Sequence, residues 1–175
     1  MSLENYKFIY SKLPEELQKL INEYYDHEYG YFYDEFKKIE ASHNLDRYGY
    51  KNYQFLTHKE IYPIRFEDTR NILNCMMEIP NIFKRLKGHT SKYIISSYEG
   101  KHIIERYRQI HNKKGNNYIS NGEFIIAMIY NKYIPQNGGS YYGNSPNCNF
   151  NATEIIVKTK YERTPISRYI KKTYE

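Results

Sequence analysis

A mainly α fold, a single compact helical domain with room for one or two short strands, is predicted by three observations. A Pro-led amphipathic helix opens near residue 14. Ser-x-x-Glu pairs at capping-box spacing introduce helices at Ser96 and Ser120. Apolar residues then recur at helical spacing in the runs that follow. At 175 residues the chain is long enough to bury a real core. Its expected organisation is a Tyr-rich helical segment over 1–65 and a helical core with a polar Gly/Asn-rich loop over 66–175, together one folding unit.

In chain order, Leu13-Pro14-Glu15-Glu16 starts the first helix. Proline suits a first helical position, and two glutamates complement the positive end of the helix dipole. Leu17, Leu20, Ile21 and Tyr24 form one stripe; Phe32, Phe36 and Ile39 form another after a break expected at Gly30. The stretch from Ala41 to Pro63 reads as a long connection with an extended piece near Tyr53 to Leu56. Ile72, Leu73, Met76, Met77 and Ile79 make a buried stripe, which Pro80 is expected to cut, starting a short helix with Ile82, Phe83 and Leu86. Phe124, Ile125, Met128 and Ile129 mark the most apolar, hence central, helix. Gln136 to Asn149 is too long and polar for a simple connector, and such loops tend to carry function. Ile155, Ile156 and Val157 suggest a strand, and Ile166, Tyr169 and Ile170 a terminal helix.

Composition narrows the setting. With 22 Tyr, 8 Phe and no Trp, the core is expected to be Ile, Leu and Phe ringed by tyrosines whose hydroxyls need partners. Lys+Arg at 26 against Asp+Glu at 20 leaves a charge of +6, which favours polyanions. Cys75 and Cys148 form neither a disulfide framework nor a zinc pattern, so reduced thiols in an intracellular compartment are expected. No apolar run approaches the ~20 residues that span a bilayer, and the N-terminus lacks a signal core. Neither a membrane partner nor a cofactor is implied.

Ser97-Tyr98, Lys101-His102 and Glu105, then Tyr118, Ser120-Asn121-Gly122 and Phe124-Ile125, then Pro146-Asn147 and Phe150-Asn151 occur in order. Together they resemble a small domain of uncharacterised proteins of phages, plasmids and large DNA viruses. The resemblance implies a viral or mobile-element setting, in the host cytoplasm or virus factory or packaged in the virion, and supplies no mechanism. Tyr133-Ile134-Pro135 and the Gly138-Gly139 loop depart from its shorter connection. Leu13 to Ile21 also resembles the start of an F-box, which implies an adaptor helix for a protein partner.

The expectation leans against an enzyme. There is no Gly-rich phosphate loop, nucleophile elbow or metal-ligand spacing, and no catalytic or metal residue is assigned. His102 with Glu105 and Tyr98 is the one constellation with acid–base character. A polar cluster of Lys101, His102, Glu105, Asn121, Asn147 and Asn151 reads first as a network locking two helices to the loop, and second as a ligand site. Lys84, Arg85, Lys87, Arg106, Arg108, Lys113 and Lys114 are the candidate contacts to DNA or RNA, with tyrosines available for stacking. The leading expectation is a non-enzymatic protein that associates with nucleic acid through this basic face. The alternative is a protein-interaction or virion-assembly module using the F-box-like helix or an aromatic interface.

Overall fold

A computed structural model describes residues 14–51, 62–86, 95–111, 117–137, 145–158, 163–165 and 168. Helix α1 (Glu15–Ser42) is followed by the β1 (Leu45–Asp46) and β2 (Gly49–Tyr50) pair, and a 3-10 turn (Phe66–Asp68) leads into α2 (Thr69–Ile82). Strand β3 (Phe83–Arg85) comes next, then β4 (Ile95–Ser96), α3 (Ser97–His111) and α4 (Asn121–Tyr130). The short strands β5 (Pro135–Asn137), β6 (Cys148–Phe150), β7 (Ala152–Glu154), β8 (Ile156–Lys158) and β9 (Arg163–Pro165) complete the described elements.

Helices dominate, but the chain is mixed α/β. The strands exceed the one or two expected. All pair antiparallel: β1 with β2, β3 with β7, β4–β6–β5 as a three-stranded sheet, and β8 with β9. At two or three residues each, they are too short for an alternating pattern to register in the sequence. They are built by pairing across the chain, as when Ile95 faces Phe150 and Pro135 faces the same residue from the other side. Of the strand expected at Ile155 to Val157, Ile156 and Val157 lie in β8 and Ile155 separates it from β7. The piece near Tyr53 to Leu56 and most of the expected terminal helix lie outside the described residues.

Helix α4 is the central element, buried from Asn121 through Met128. Its Phe124 ring packs edge-on to Phe83 at 6.1 Å and Phe150 at 6.2 Å. Phe36 of α1 and Tyr130 of α4 meet at 5.8 Å, which seats α1 on the core. The second cap is complete: Ser120 Oγ accepts from the Glu123 N–H, and Glu123 Oε2 accepts from the Ser120 N–H at 2.6 Å. Ser96 Oγ accepts from the Glu99 N–H at 3.1 Å in the same way.

Two expected breaks are absent. Helix α1 runs through Gly30, where open space surrounds the position a Cβ would occupy. Helix α2 runs through Pro80 to Ile82, and Phe83 then turns extended. A proline lacks the N–H that would reach the carbonyl four residues earlier. Here that carbonyl, Met76, accepts instead from the Asn131 side-chain amide at 3.2 Å, so tertiary contact supplies the missing bond. Met77, expected in the buried stripe, faces outward. Cys75 and Cys148 are buried free thiols, and burial pushes Cys148 up to about 12.

Candidate functional site

The Glu105 carboxylate is the hub of the polar cluster on α3. Residues three and four apart on a helix are neighbours. Lys101 Nζ therefore lies 3.1 Å from Oε1, and His102 Nδ1 lies 2.7 Å from Oε2. Oε1 also accepts from the Ile119 N–H at 3.3 Å, which ties α3 to the segment entering α4. The Lys101 ammonium sits between two phenol rings, 5.6 Å from the Tyr98 centroid and 5.2 Å from that of Tyr118. Lys101 itself is only 8 % exposed, whereas Tyr98 and Tyr118 are 55 % and 49 % exposed. Cation and anion thus cancel below the surface while the two aromatic residues stay about half exposed.

The aromatic surface continues beyond α3. Tyr48 and Tyr62, both exposed, pack edge-to-face at 5.2 Å. Burial raises the Tyr118 phenol above its ordinary range, the charge of Glu123 adds to this, and Arg47 opposes it; Tyr48 is close enough to contribute as well. Tyr98 and Tyr118 thus flank Lys101, and the hairpin bonds of Asn121 and Gly122 bring Arg47 and the Tyr48–Tyr62 pair to the helix that Tyr118 enters; the four exposed tyrosines are termed the ridge.

The remaining members of the expected cluster have other places. Asn121 donates through Nδ2 to the carbonyls of Tyr48 at 3.0 Å and Pro146 at 3.1 Å. Its Oδ1 is buried without a hydrogen bond among the described residues, so there the amide is held by its donor side. Asn147 donates its N–H to Ser145 Oγ beside this clasp. Asn151 donates to the Leu86 carbonyl at 3.1 Å and so serves the β3–β7 pair. Lys101, His102 and Glu105 come together as one cluster; Asn121 and Asn147 hold the loop and hairpin behind it.

Of the candidate nucleic-acid contacts, Lys84 and Arg85 are exposed on β3, and Arg106 is exposed on α3. Arg85 Nη1 donates to the Lys132 carbonyl at 3.0 Å, which brings the exposed Lys132 into this basic corner. Lys87, Lys113 and Lys114 lie outside the described residues. Arg108 is a correction: it is 3 % exposed and cannot contribute to a surface footprint. Its Nε donates to both Glu78 oxygens, at 3.1 and 2.8 Å, and its Nη1 to Asn71 Oδ1 at 2.7 Å. Asn71 in turn donates to Glu123 Oε2 at 3.0 Å. One polar network, buried at Arg108 and Glu123 and half-buried at Asn71 and Glu78, thus joins α2, α3 and α4. The sequence alone does not point to Asn71, Glu78 or Arg47, since no periodicity or motif singles them out.

That network carries a pH dependence. Burial raises Glu123 above the ordinary carboxyl value of 4.5, against hydrogen bonds from Ser120 and Asn71 that lower it. A carboxyl whose folded pKa exceeds its unfolded one contributes stability that is present below the unfolded value and lost as pH rises through the folded value. Glu123→Gln keeps an oxygen acceptor for Ser120 and Asn71 without the charge. Its stability relative to the native chain is expected to improve as pH rises from about 4.5 to neutrality, as read from urea midpoints across that range. A difference independent of pH would show that Glu123 carries no such shift.

Among the described residues, no helix is long and apolar enough to cross a membrane, and no group of three His, Cys, Asp or Glu could hold a metal ion. Comparisons with family models, curated proteins and solved structures find no match to this chain.

Proposed function

We propose that this protein associates with single-stranded nucleic acid along the tyrosine ridge, in the viral or mobile-element setting that its sequence resemblance implies. The observation that carries the reading is the pair of exposed rings, Tyr98 and Tyr118, flanking the Lys101 ammonium. Bases stack on aromatic rings whatever their sequence, and the buried Lys101 ammonium holds the two rings in place from below. Glu105 does not oppose this, because the Lys101 ammonium 3.1 Å away balances its charge. Lys84, Arg85 and Lys132 offer a second, backbone-directed basic patch.

The test is fluorescence anisotropy with labelled oligothymidylate and oligouridylate over a salt series. Binding should weaken steeply between about 50 and 200 mM salt. Tyr98→Ala and Tyr118→Ala should each cost about 1–3 kcal/mol of affinity. Replacing Lys84 and Arg85 by Ala should flatten the salt slope by about 0.7 for each phosphate that is no longer neutralised. Absence of binding at low salt, or affinity unaffected by both tyrosine changes, would sink the reading.

A protein-interaction role is the second reading, favoured by Leu17, which stands 45 % exposed on the F-box-like start of α1. The Leu20 and Ile21 side chains lie outside the described residues. Co-purification that survives nuclease treatment and is lost in Leu17→Asp would favour this reading over nucleic acid.

A further inference from the structure

We propose that His102 is a general base that cleaves RNA held on the ridge, an inference that rests on the binding reading above. Three features of the site support it. The imidazole is oriented: Nδ1 meets Glu105 Oε2 at 2.7 Å, so in the neutral ring the carboxylate favours the tautomer with the proton on Nδ1 and the lone pair on Nε2. That second nitrogen is available: the His102 side chain is 42 % exposed, and among the described residues Nε2 has no hydrogen-bond partner. The base also lies beside the stacking surface, with its ring edge-on to Tyr98 at 4.6 Å, while the Lys101 ammonium sits on the other oxygen of the same carboxylate.

A carboxylate-oriented imidazole is an efficient proton acceptor only for a hydroxyl brought within reach. On a strand stacked over Tyr98 and Tyr118, the hydroxyl available beside each phosphodiester is the ribose 2′-OH. His102 Nε2 takes that proton, and the 2′-oxygen bonds to phosphorus. The bond from phosphorus to the 5′-oxygen breaks, and the leaving oxygen takes a proton from water. The products are a 2′,3′-cyclic phosphate and a 5′-hydroxyl, and the imidazolium returns its proton to solvent. Lys101 acts as a positioning residue: its ammonium, on the other oxygen of Glu105, fixes the carboxylate that orients His102. DNA, lacking the 2′-hydroxyl, should bind and stay intact.

The experiment uses the full chain with an oligouridylate carrying a fluorophore and a quencher, in EDTA, beside the matching oligothymidylate. Expected are cleavage of the RNA alone and a cyclic-phosphate product. His102→Ala should slow cleavage by about 10²–10⁴-fold and leave anisotropy-measured binding in place. His102→Gln should behave the same way. Should RNA be bound yet stay whole, the base assignment falls and the binding reading stands. Cleavage at the native rate by His102→Ala, or equal cleavage of DNA, also overturns the assignment. If neither polymer binds, both readings fall together.

Discussion

Arg108→Met is expected to destabilise the protein by about 3–5 kcal/mol, the range for breaking a buried ion pair and leaving one charge behind. Small domains hold only about 5–15 kcal/mol in all, so many molecules would sit near unfolding. The effect is large because Arg108 serves several partners at once. Besides Glu78 and the Asn71 side chain, its Nη1 reaches the Tyr118 carbonyl at 3.4 Å and its Nη2 the Asn71 carbonyl at 3.3 Å. Removing the guanidinium therefore leaves a half-buried carboxylate and several acceptors without their donor. Two measurements distinguish this mechanism from simple loss of packing. First, Glu78 already sits above its ordinary value of 4.5 through burial, with Arg108 opposing the shift. Without Arg108 the carboxyl holds its proton more tightly in the folded state, so the penalty should shrink as pH falls toward about 4.5 and be full near neutrality. Second, Arg108→Met with Glu78→Leu should recover much of the loss, since an apolar pair leaves no unpaired charge. A penalty that is equal at both pH values and untouched by the second change would refute the account. The change should also loosen Tyr118, whose backbone Arg108 and Asn71 hold, and so weaken the ridge.

The position of Arg108 shows where residue type misleads and spacing does better. A basic residue near Arg106 invites assignment to a basic face. Yet Arg108 lies four positions after Ile104 and seven after Lys101, the inward register of α3, on which Ser97, Lys101 and Ile104 are also buried. Both helix caps were legible because a capping box is a local device, fixed by residues three apart. The His102 and Glu105 pairing was legible for the same reason. Tyr48, Tyr62 and Arg47 were not, because they join the ridge from a connection without periodicity, through contacts made only in the folded chain. The unbroken α2 belongs with them: Pro80 reads as a stop until Asn131, about fifty residues later, is seen donating to Met76.

Gly122→Ala tests whether the β1–β2 hairpin is seated on α4 as tightly as the geometry requires. The Gly122 N–H donates to the Arg47 carbonyl at 3.0 Å, which brings the hairpin backbone directly against the first turn of the helix. An added Cβ would overlap the Asp46 carbonyl oxygen and lie 3.0 Å from the Arg47 carbonyl carbon. Those neighbours are backbone, so no rotamer change relieves the clash; the hairpin or the helix must move. The expected cost lies at or above the upper end of the ~1–3 kcal/mol typical of overpacking. The hairpin is confined a second time at Gly49, at φ +120, where a Cβ would overlap the Pro146 carbonyl oxygen and the Asn121 side-chain amide. Any shift of the hairpin would strain the Asn121 bonds to Tyr48 and Pro146 with it. Gly30→Ala is the control, a helix-interior glycine in open space, and should stabilise by about 0.5–1 kcal/mol. Urea unfolding of the two variants should move in opposite directions. Because Arg47 and Tyr48 ride on the displaced hairpin, Gly122→Ala should also lose oligonucleotide affinity under conditions where it is still folded. Full affinity in a folded Gly122→Ala would mean that the strand binds over Tyr98 and Tyr118 without the hairpin, and would confine the ridge to α3 and the entrance of α4.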